Sequence, residues 1–293
     1  ASEAIIYQRF GYGMAAEGVE LAIDRMRTAL RTAPPFSGRC RYIQRDEALG
    51  AWPGIWDTDR VRYPGMHSRS AGWWENRVLR DPPWPGPAGF SSLFNVQYEE
   101  GGKPLGYARY RIKEHYENGS AASVLSVQAL HGNTDGAYSA LWQHIFGVDL
   151  VGKIQAEWRR TDEPLYAMLA DPRRLVRRPS DTLWVRIVDT VQALEARRYR
   201  TAGALVIELR DDFCPWNGGR YVIEGGPDGA RCSHTTKTAD LTMTVNELGA
   251  LYLGGMSAHQ LARAGRIEGA AQAITTADSM FAWAPQPWAP EIW

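Results

Sequence analysis

The chain has 293 residues, about two domains' worth at roughly 100–200 residues each. Its 33 basic and 33 acidic residues cancel, so no global field gathers polyanions or anionic lipid, and neither nucleic acid nor a membrane is an expected partner. With 44% hydrophobic and 23% charged residues it can bury a sizeable core, and no apolar run approaches the roughly 18 residues of a membrane span. The N-terminus lacks a charged region followed by an apolar one, so a cytoplasmic protein is expected. Cys40, Cys214 and Cys232 form no CxxC pair, and the 6 histidines show neither HxxxH nor HExxH spacing, so no metal site is expected.

Ser2 can cap a short helix with Glu3 in its first turn, in which Ala4, Ile5 and Ile6 lead to Tyr7 before Arg9-Phe10-Gly11-Tyr12-Gly13 breaks it. A protein seldom starts on such a fragment, so an upstream domain is expected before it. After an apolar-polar stretch over 19–27, Thr32-Ala33-Pro34-Pro35-Phe36-Ser37-Gly38 reads as a linker and places a boundary near residue 38. The pattern then predicts a short strand at 42–43, helices over 46–57 and 69–79, and a proline-rich bend at 81–87. A meander of antiparallel strands over 92–98, 104–112 and 122–130 follows, with turns at 100–102 and 117–120. Tyr138, Leu141, Trp142 and Ile145 give 134–146 a helical face, and a strand at 153–158 and a helix at 165–170 precede a basic connection carrying Arg173, Arg174, Arg177 and Arg178.

The last third changes character. Strands at 184–188 and 202–209 flank a helix at 190–196, 220–224 and 230–234 form a hairpin, and 240–245 alternates with period two. Helices capped by Asn246 and by Ser257 come next, then a final helix over 270–281. A tail containing Trp283, Trp288 and Trp293 among prolines is expected to be anchored by burial of its indoles.

These residues carry a resemblance. Asp240-Leu241-Thr242-Met243-Thr244-Val245, then Gly254-Gly255, then Leu261-Ala262-Arg263-Ala264-Gly265-Arg266-Ile267-Glu268-Gly269 resembles the sterol carrier protein 2 fold. Gly106-Tyr107-Ala108-Arg109-Tyr110-Arg111, Ala140-Leu141-Trp142 and Ala193-Leu194-Glu195-Ala196-Arg197-Arg198-Tyr199 are similar to the second acetyltransferase-like domain of the Eis (enhanced intracellular survival) family, and the opening 13 residues resemble the end of that family's first, catalytic domain. The resemblance implies a fold that is α/β and α+β, a GNAT-like mixed sheet followed by a sterol-carrier-like domain. It implies three segments: 1–37 as the end of a catalytic domain, 38–182 as a second GNAT-like domain, and 183–293 as the sterol-carrier-like domain. It also implies an acetyl-CoA-dependent N-acetyltransferase acting on amines, including those of aminoglycosides, and a homo-oligomer, the family's being a hexamer.

The family's catalytic acid is the tyrosine ahead of the RFGYG turn, here Tyr7. A phenol, with an ordinary pKa near 10, can protonate a departing thiolate at neutral pH; packing beside Phe10 is the other reading of Tyr7. The family's second catalytic group is the C-terminal carboxylate, here that of Trp293, which would help take a proton from the incoming ammonium; burial as an anchor is the other reading. A polycationic substrate calls for carboxylates and aromatic faces, and by position Trp74, Glu75 and Asp181 resemble the family's pocket lining, with Glu291 as an acidic residue near the end, separated from Trp293 by Ile292. Trp74 equally suits a core and Glu75 a solvated helix face. Acetyltransferases cradle the pyrophosphate on the amides of a Q/RxxGxG/A turn. Here the strand at 122–130 leads instead into His131-Gly132-Asn133-Thr134-Asp135-Gly136, so the middle domain reads as a silent copy and the main acetyl-CoA motif is expected upstream. A lipid-binding or scaffold module without activity is the alternative function.

Overall fold

Val19-Glu20-Leu21-Ala22-Ile23-Asp24 alternates buried apolar residues with others, the mark of a strand, and the turn before Gly13 ends the opening helix. In the computed structural model, which describes residues 3–81, 89–117 and 120–291 (side chains of 120 and 121 excepted), α1 is Ala4–Arg9 and β1 is Gly13–Asp24. Glu3 stands at the N-cap of α1 without a capping hydrogen bond, and Ser2 lies outside the described residues. The chain divides into two compact units, Val19–Ser180 and, from both ends of the sequence, Ala1–Gly18 with Asp181–Trp293.

The first of these units is built on a mixed sheet. β2 (Arg39–Tyr42), β3 (Phe94–Glu100), β4 (Lys103–Lys113) and β7 (Ser123–Gly132) run antiparallel to one another, and β7 pairs in parallel with β8 (Val151–Arg160). The full strand order is β2-β3-β4-β7-β8-β1-β9, with β9 at Val176–Val185. A two-residue-armed hairpin, β5 (Tyr116–Glu117) with β6 (Ser120–Ala121), stands where a simple turn was expected. Period-two alternation sends Tyr107 to one face and Ala108 and Tyr110 to the other. On the first face α2 (Arg45–Arg60) buries Trp52 and Trp56, joined by Trp74 from α3 (Ala71–Trp73) and the π-helical turn Trp74–Val78 that continues it. On the second face α4 (Asp135–Phe146), capped by Thr134, buries Leu141, Trp142 and Ile145 as the pattern requires. The short α5 (Leu165–Met168) closes this layer.

The expected basic connection at 173–178 is instead a short helical turn at Pro172–Arg174 followed by the ten-residue β9. Its residues are exposed or half-buried throughout, so no apolar alternation marks it.

The second unit packs α6 (Thr190–Ala196), α7 (Val245–Leu251), α8 (Ala258–Arg263) and α9 (Ala271–Phe281) with a five-stranded sheet of order β12-β11-β10-β13-β14. β10 is Gly203–Arg210, β11 Gly219–Gly226, β12 Gly229–His234, β13 Leu241–Thr244 and β14 Ile267–Gly269. β10 and β13 pair in parallel, while β10 with β11, β11 with β12 and β13 with β14 pair antiparallel. Tyr199, Tyr221 and Phe281 fill the core, and Trp288 of the tail is buried while Trp283 is half-buried.

Beneath α2 the first unit holds a buried polar pair, His131 Nδ1 at 3.0 Å from Asp59 Oδ2. Burial pushes the imidazole down to about 4, with the Asp59 hydrogen bond and charge opposing. An unfolded histidine titrates near 6.5, so below that pH the unfolded chain takes up a proton that the folded one refuses. The stabilising effect is therefore complete above about 6.5 and is lost as pH falls towards 4. Denaturant midpoints measured from pH 7.5 to 4.5 should decline over this window, and His131→Gln should flatten that part of the decline while lowering the midpoint at pH 7.5.

Candidate active site

A six-residue helix is far below the roughly 12–15 residues at which an isolated helix is even marginal, so α1 needs tertiary anchors. It buries none of its own residues. The anchors lie in the turn that ends it. Gly11, at φ +80°, takes the left-handed conformation that a helix-ending glycine supplies, its N–H reaching Gln8 O at 2.9 Å and the Tyr12 N–H reaching Tyr7 O at 3.1 Å. This is a Schellman motif, and its usual hydrophobic contact is present as Tyr12 edge-on to Tyr7 with ring centroids 6.0 Å apart.

Tyr7 is half-buried, and its ring stacks on Trp184 at 5.4 Å and 13°. The Trp184 indole N–H in turn donates to Asp181 Oδ2 at 2.6 Å. A stacked aromatic pair of this kind contributes about 0.5–1.5 kcal/mol beyond its burial. Two consecutive contacts therefore bring together Tyr7 and Asp181, two of the residues picked out in the sequence, through Trp184, which the sequence marked only as a strand residue. Thr182 Oγ donates to Ala16 O at 3.2 Å and ties this stretch of β9 to β1.

The second support comes from α7. Its N-cap is Thr244, not Asn246: the Thr244 hydroxyl accepts from the helix N-terminus while Glu247 Oε2 accepts from Thr244 N at 2.9 Å, a capping box. Asn246 is thereby released from capping, and its Nδ2 donates at 2.8 Å to both Gln8 O and Tyr12 O. Each such bond contributes about 0.5–1.5 kcal/mol net. Gly11 also lies against the Arg186 guanidinium, which pairs with both oxygens of Asp211 at 2.7 and 2.9 Å. Burial raises the Asp211 pKa, but Cys214 N–H, Arg186 and Asn217 outweigh it and hold the carboxyl below its ordinary value.

The remaining predicted residues sit elsewhere. Trp74 is 2% exposed among Trp56 and Tyr107 in the core of the other unit, and Glu75 is exposed on the same turn. Glu291 is half-buried in the tail, and Trp293 lies outside the described residues. Among the described residues no group of three or more His, Cys, Asp or Glu could hold a metal, and no helix is long and apolar enough to cross a membrane.

Acetyl-CoA does not fit the middle unit. At the start of α4 a Cβ on Gly136 would stand 2.7 Å from Pro35 O, so a carbonyl oxygen crowds the place where a pyrophosphate would need amide donors, and Asp135 adds a carboxylate to the first turn. Beyond 127 and 156 the parallel strands β7 and β8 are no longer paired, and the buried Arg159 reaches Leu130 O at 2.8 Å and pairs with Glu163.

A seven-stranded mixed sheet and a five-stranded sheet, with a tyrosine on the short helix α1 held at a Schellman turn, are the architecture of an acetyltransferase-like chain with a sterol-carrier-like unit, as the family matches show. The acetyltransferase (GNAT) domain model matches residues 65–187 and the sterol carrier protein domain model residues 190–290. The chain is 37% identical to an uncharacterized N-acetyltransferase of Streptomyces avermitilis over 292 residues, 99% of this chain and 71% of that protein. It is 33% identical to N-acetyltransferase Eis of Mycobacterium tuberculosis over 276 residues, 91% of this chain and 64% of that protein. The crystal structure of Eis1 from Mycobacterium abscessus superimposes with a TM-score of 0.85 at 32% identity, covering 100% of this chain and 72% of that one. The chain belongs to the Eis family of GNAT N-acetyltransferases.

Since the middle unit offers no pyrophosphate cradle, calorimetric titration of acetyl-CoA into this 293-residue chain should give no low-micromolar binding. Trp74→Ala should lower its stability by roughly 3–5 kcal/mol, as for a core tryptophan, in a denaturant titration.

Proposed function

We propose that the complete protein transfers the acetyl group of acetyl-CoA to amine groups of polycationic small molecules such as aminoglycosides, working in the cytoplasm as a homo-oligomer, a hexamer as the family resemblance implies. Acetyl-CoA is a substrate here, and its main binding motif belongs to a part of the protein outside this chain. In the reaction an amine nitrogen bonds to the acetyl carbon, the carbon–sulfur bond breaks, and two protons must move.

The Tyr7 hydroxyl gives its proton to the departing sulfur, since a phenol with an ordinary pKa near 10 is an acid strong enough for a thiolate at neutral pH. The α-carboxylate of Trp293 takes the proton of the incoming ammonium, directly or through a water. A free carboxylate is a weak base, so desolvation in the pocket must raise its basicity. Asp181 and Glu291 supply negative charge to a cationic substrate, whereas Trp74, 2% exposed among Trp56 and Tyr107, serves the core of the other unit and Glu75 is exposed on the same turn.

What carries this reading is the placement of Tyr7: a half-buried phenol stacked on Trp184 and held at a turn with three separate supports, which is more fixation than a surface tyrosine needs. In the complete protein Tyr7→Phe keeps the ring and removes the proton donor. Turnover should fall on the order of 10²-fold or more with the melting temperature unchanged, and near-wild-type activity would return Tyr7 to a packing role. A tag appended after Trp293 should abolish most acetyl transfer without lowering the melting temperature, whereas an N-terminal tag should not; full activity of the C-terminally tagged protein refutes the role of the carboxylate.

A further inference from the structure

α7 belongs to the sterol-carrier-like unit, yet the amide nitrogen of its Asn246 serves the opening turn. Asn246 Nδ2 stands 2.8 Å from Gln8 O and 2.8 Å from Tyr12 O, the carbonyls on either side of the Phe10-Gly11 corner. Two carbonyls facing one terminal group require a donor with two hydrogens, so the amide nitrogen is fixed in that position, and the Thr244 hydroxyl at 3.2 Å from Oδ1 matches the opposite end. Gln8 O already accepts the Gly11 N–H of the Schellman motif, and Asn246 uses its second lone pair.

The backbones are equally committed. A Cβ on Gly13 would fall 1.9 Å from Asn246 O and 2.3 Å from Ala250 N, and one on Gly249 would fall 2.5 Å from Val185 O and 3.1 Å from Gly13 N. The first residue of β1 and the middle of α7 thus touch main chain to main chain. No side chain that could relax separates them.

We infer that Asn246 is a positioning residue for acetyl transfer: it fixes the carbonyls flanking the turn and so sets where the Tyr7 hydroxyl stands. The sterol-carrier-like unit then serves catalysis as a mount for the catalytic tyrosine. This rests on Tyr7 being the proton donor proposed above. Asn246 itself touches no reacting atom. Its loss moves the turn by tenths of an ångström and lengthens the proton's path, which changes turnover more than substrate affinity.

The test is a double-mutant cycle in the complete protein, with acetyl transfer to an aminoglycoside, KM for both substrates and melting temperature measured for Asn246→Ala, Asn246→Asp, Tyr7→Phe and the combinations with Tyr7→Phe. Asn246→Ala should lower kcat roughly 10-fold with both KM values within about two-fold, and Asn246→Asp, which sets an anionic oxygen against two carbonyls, should lower it further. In the Tyr7→Phe background the Asn246 substitutions should add less than about two-fold, because the group they position is gone. Losses that multiply in full across the two sites, a loss confined to KM, or variants that fail to fold assign Asn246 to structure alone and overturn the inference. Full kcat in Asn246→Ala beside a crippled Tyr7→Phe overturns it while leaving the role of Tyr7 intact. Near-wild-type Tyr7→Phe removes the reading on which it rests.

Discussion

The contact on which this chain depends is a main-chain one: Gly13 against α7, where neither Gly13 nor Gly249 has room for a Cβ. Nothing smaller than glycine exists, so this approach cannot be tightened, and any larger residue must push strand and helix apart. It delivers the opening turn to the Asn246 amide and to the Arg186–Asp211 pair. α1, too short to hold itself and with nothing buried, inherits its place from that turn. Tyr7 then finds Trp184, and Trp184 finds Asp181.

The two units use the same tools for different ends. In the first, Trp52, Trp56, Trp74 and Tyr107 are buried on one face of the sheet, and Trp142 on the other. There the place of the pyrophosphate turn is taken by the Pro35 carbonyl, and the gap beyond the paired parts of β7 and β8 by the Arg159–Glu163 pair. In the second unit the aromatic rings of Tyr7, Tyr12 and Trp184 stay half-buried at the surface, where a ring can both pack and meet a ligand.

Much of this was legible in the sequence and the rest failed for physical reasons. Strongly periodic elements such as 190–196 and the helix over 134–146 stand where the pattern places them, because one apolar face decides both. Most of β9 escaped because its residues are exposed or half-buried: the strand expected at 184–188 catches only its last two residues, and 186–188 is not strand; β14 escaped because three residues carry no period. The capping of α7 could have been read correctly: Thr244-Val245-Asn246-Glu247 is a capping-box sequence, and giving the cap to Thr244 leaves Asn246 without a local task. Trp184 had no such signal. Its partner is 177 residues away in sequence, and a tryptophan in a strand reads as packing until its neighbour is known.

The central claim is that this chain holds the Tyr7 hydroxyl at the reacting centre of an acetyltransferase. The most direct measurement is a crystal structure of the complete protein with CoA and an aminoglycoside bound. The account predicts the Tyr7 hydroxyl within hydrogen-bond reach of the CoA sulfur, with the Asn246 bonds to Gln8 O and Tyr12 O intact. A sulfur many ångströms from Tyr7, facing another proton donor, would contradict it.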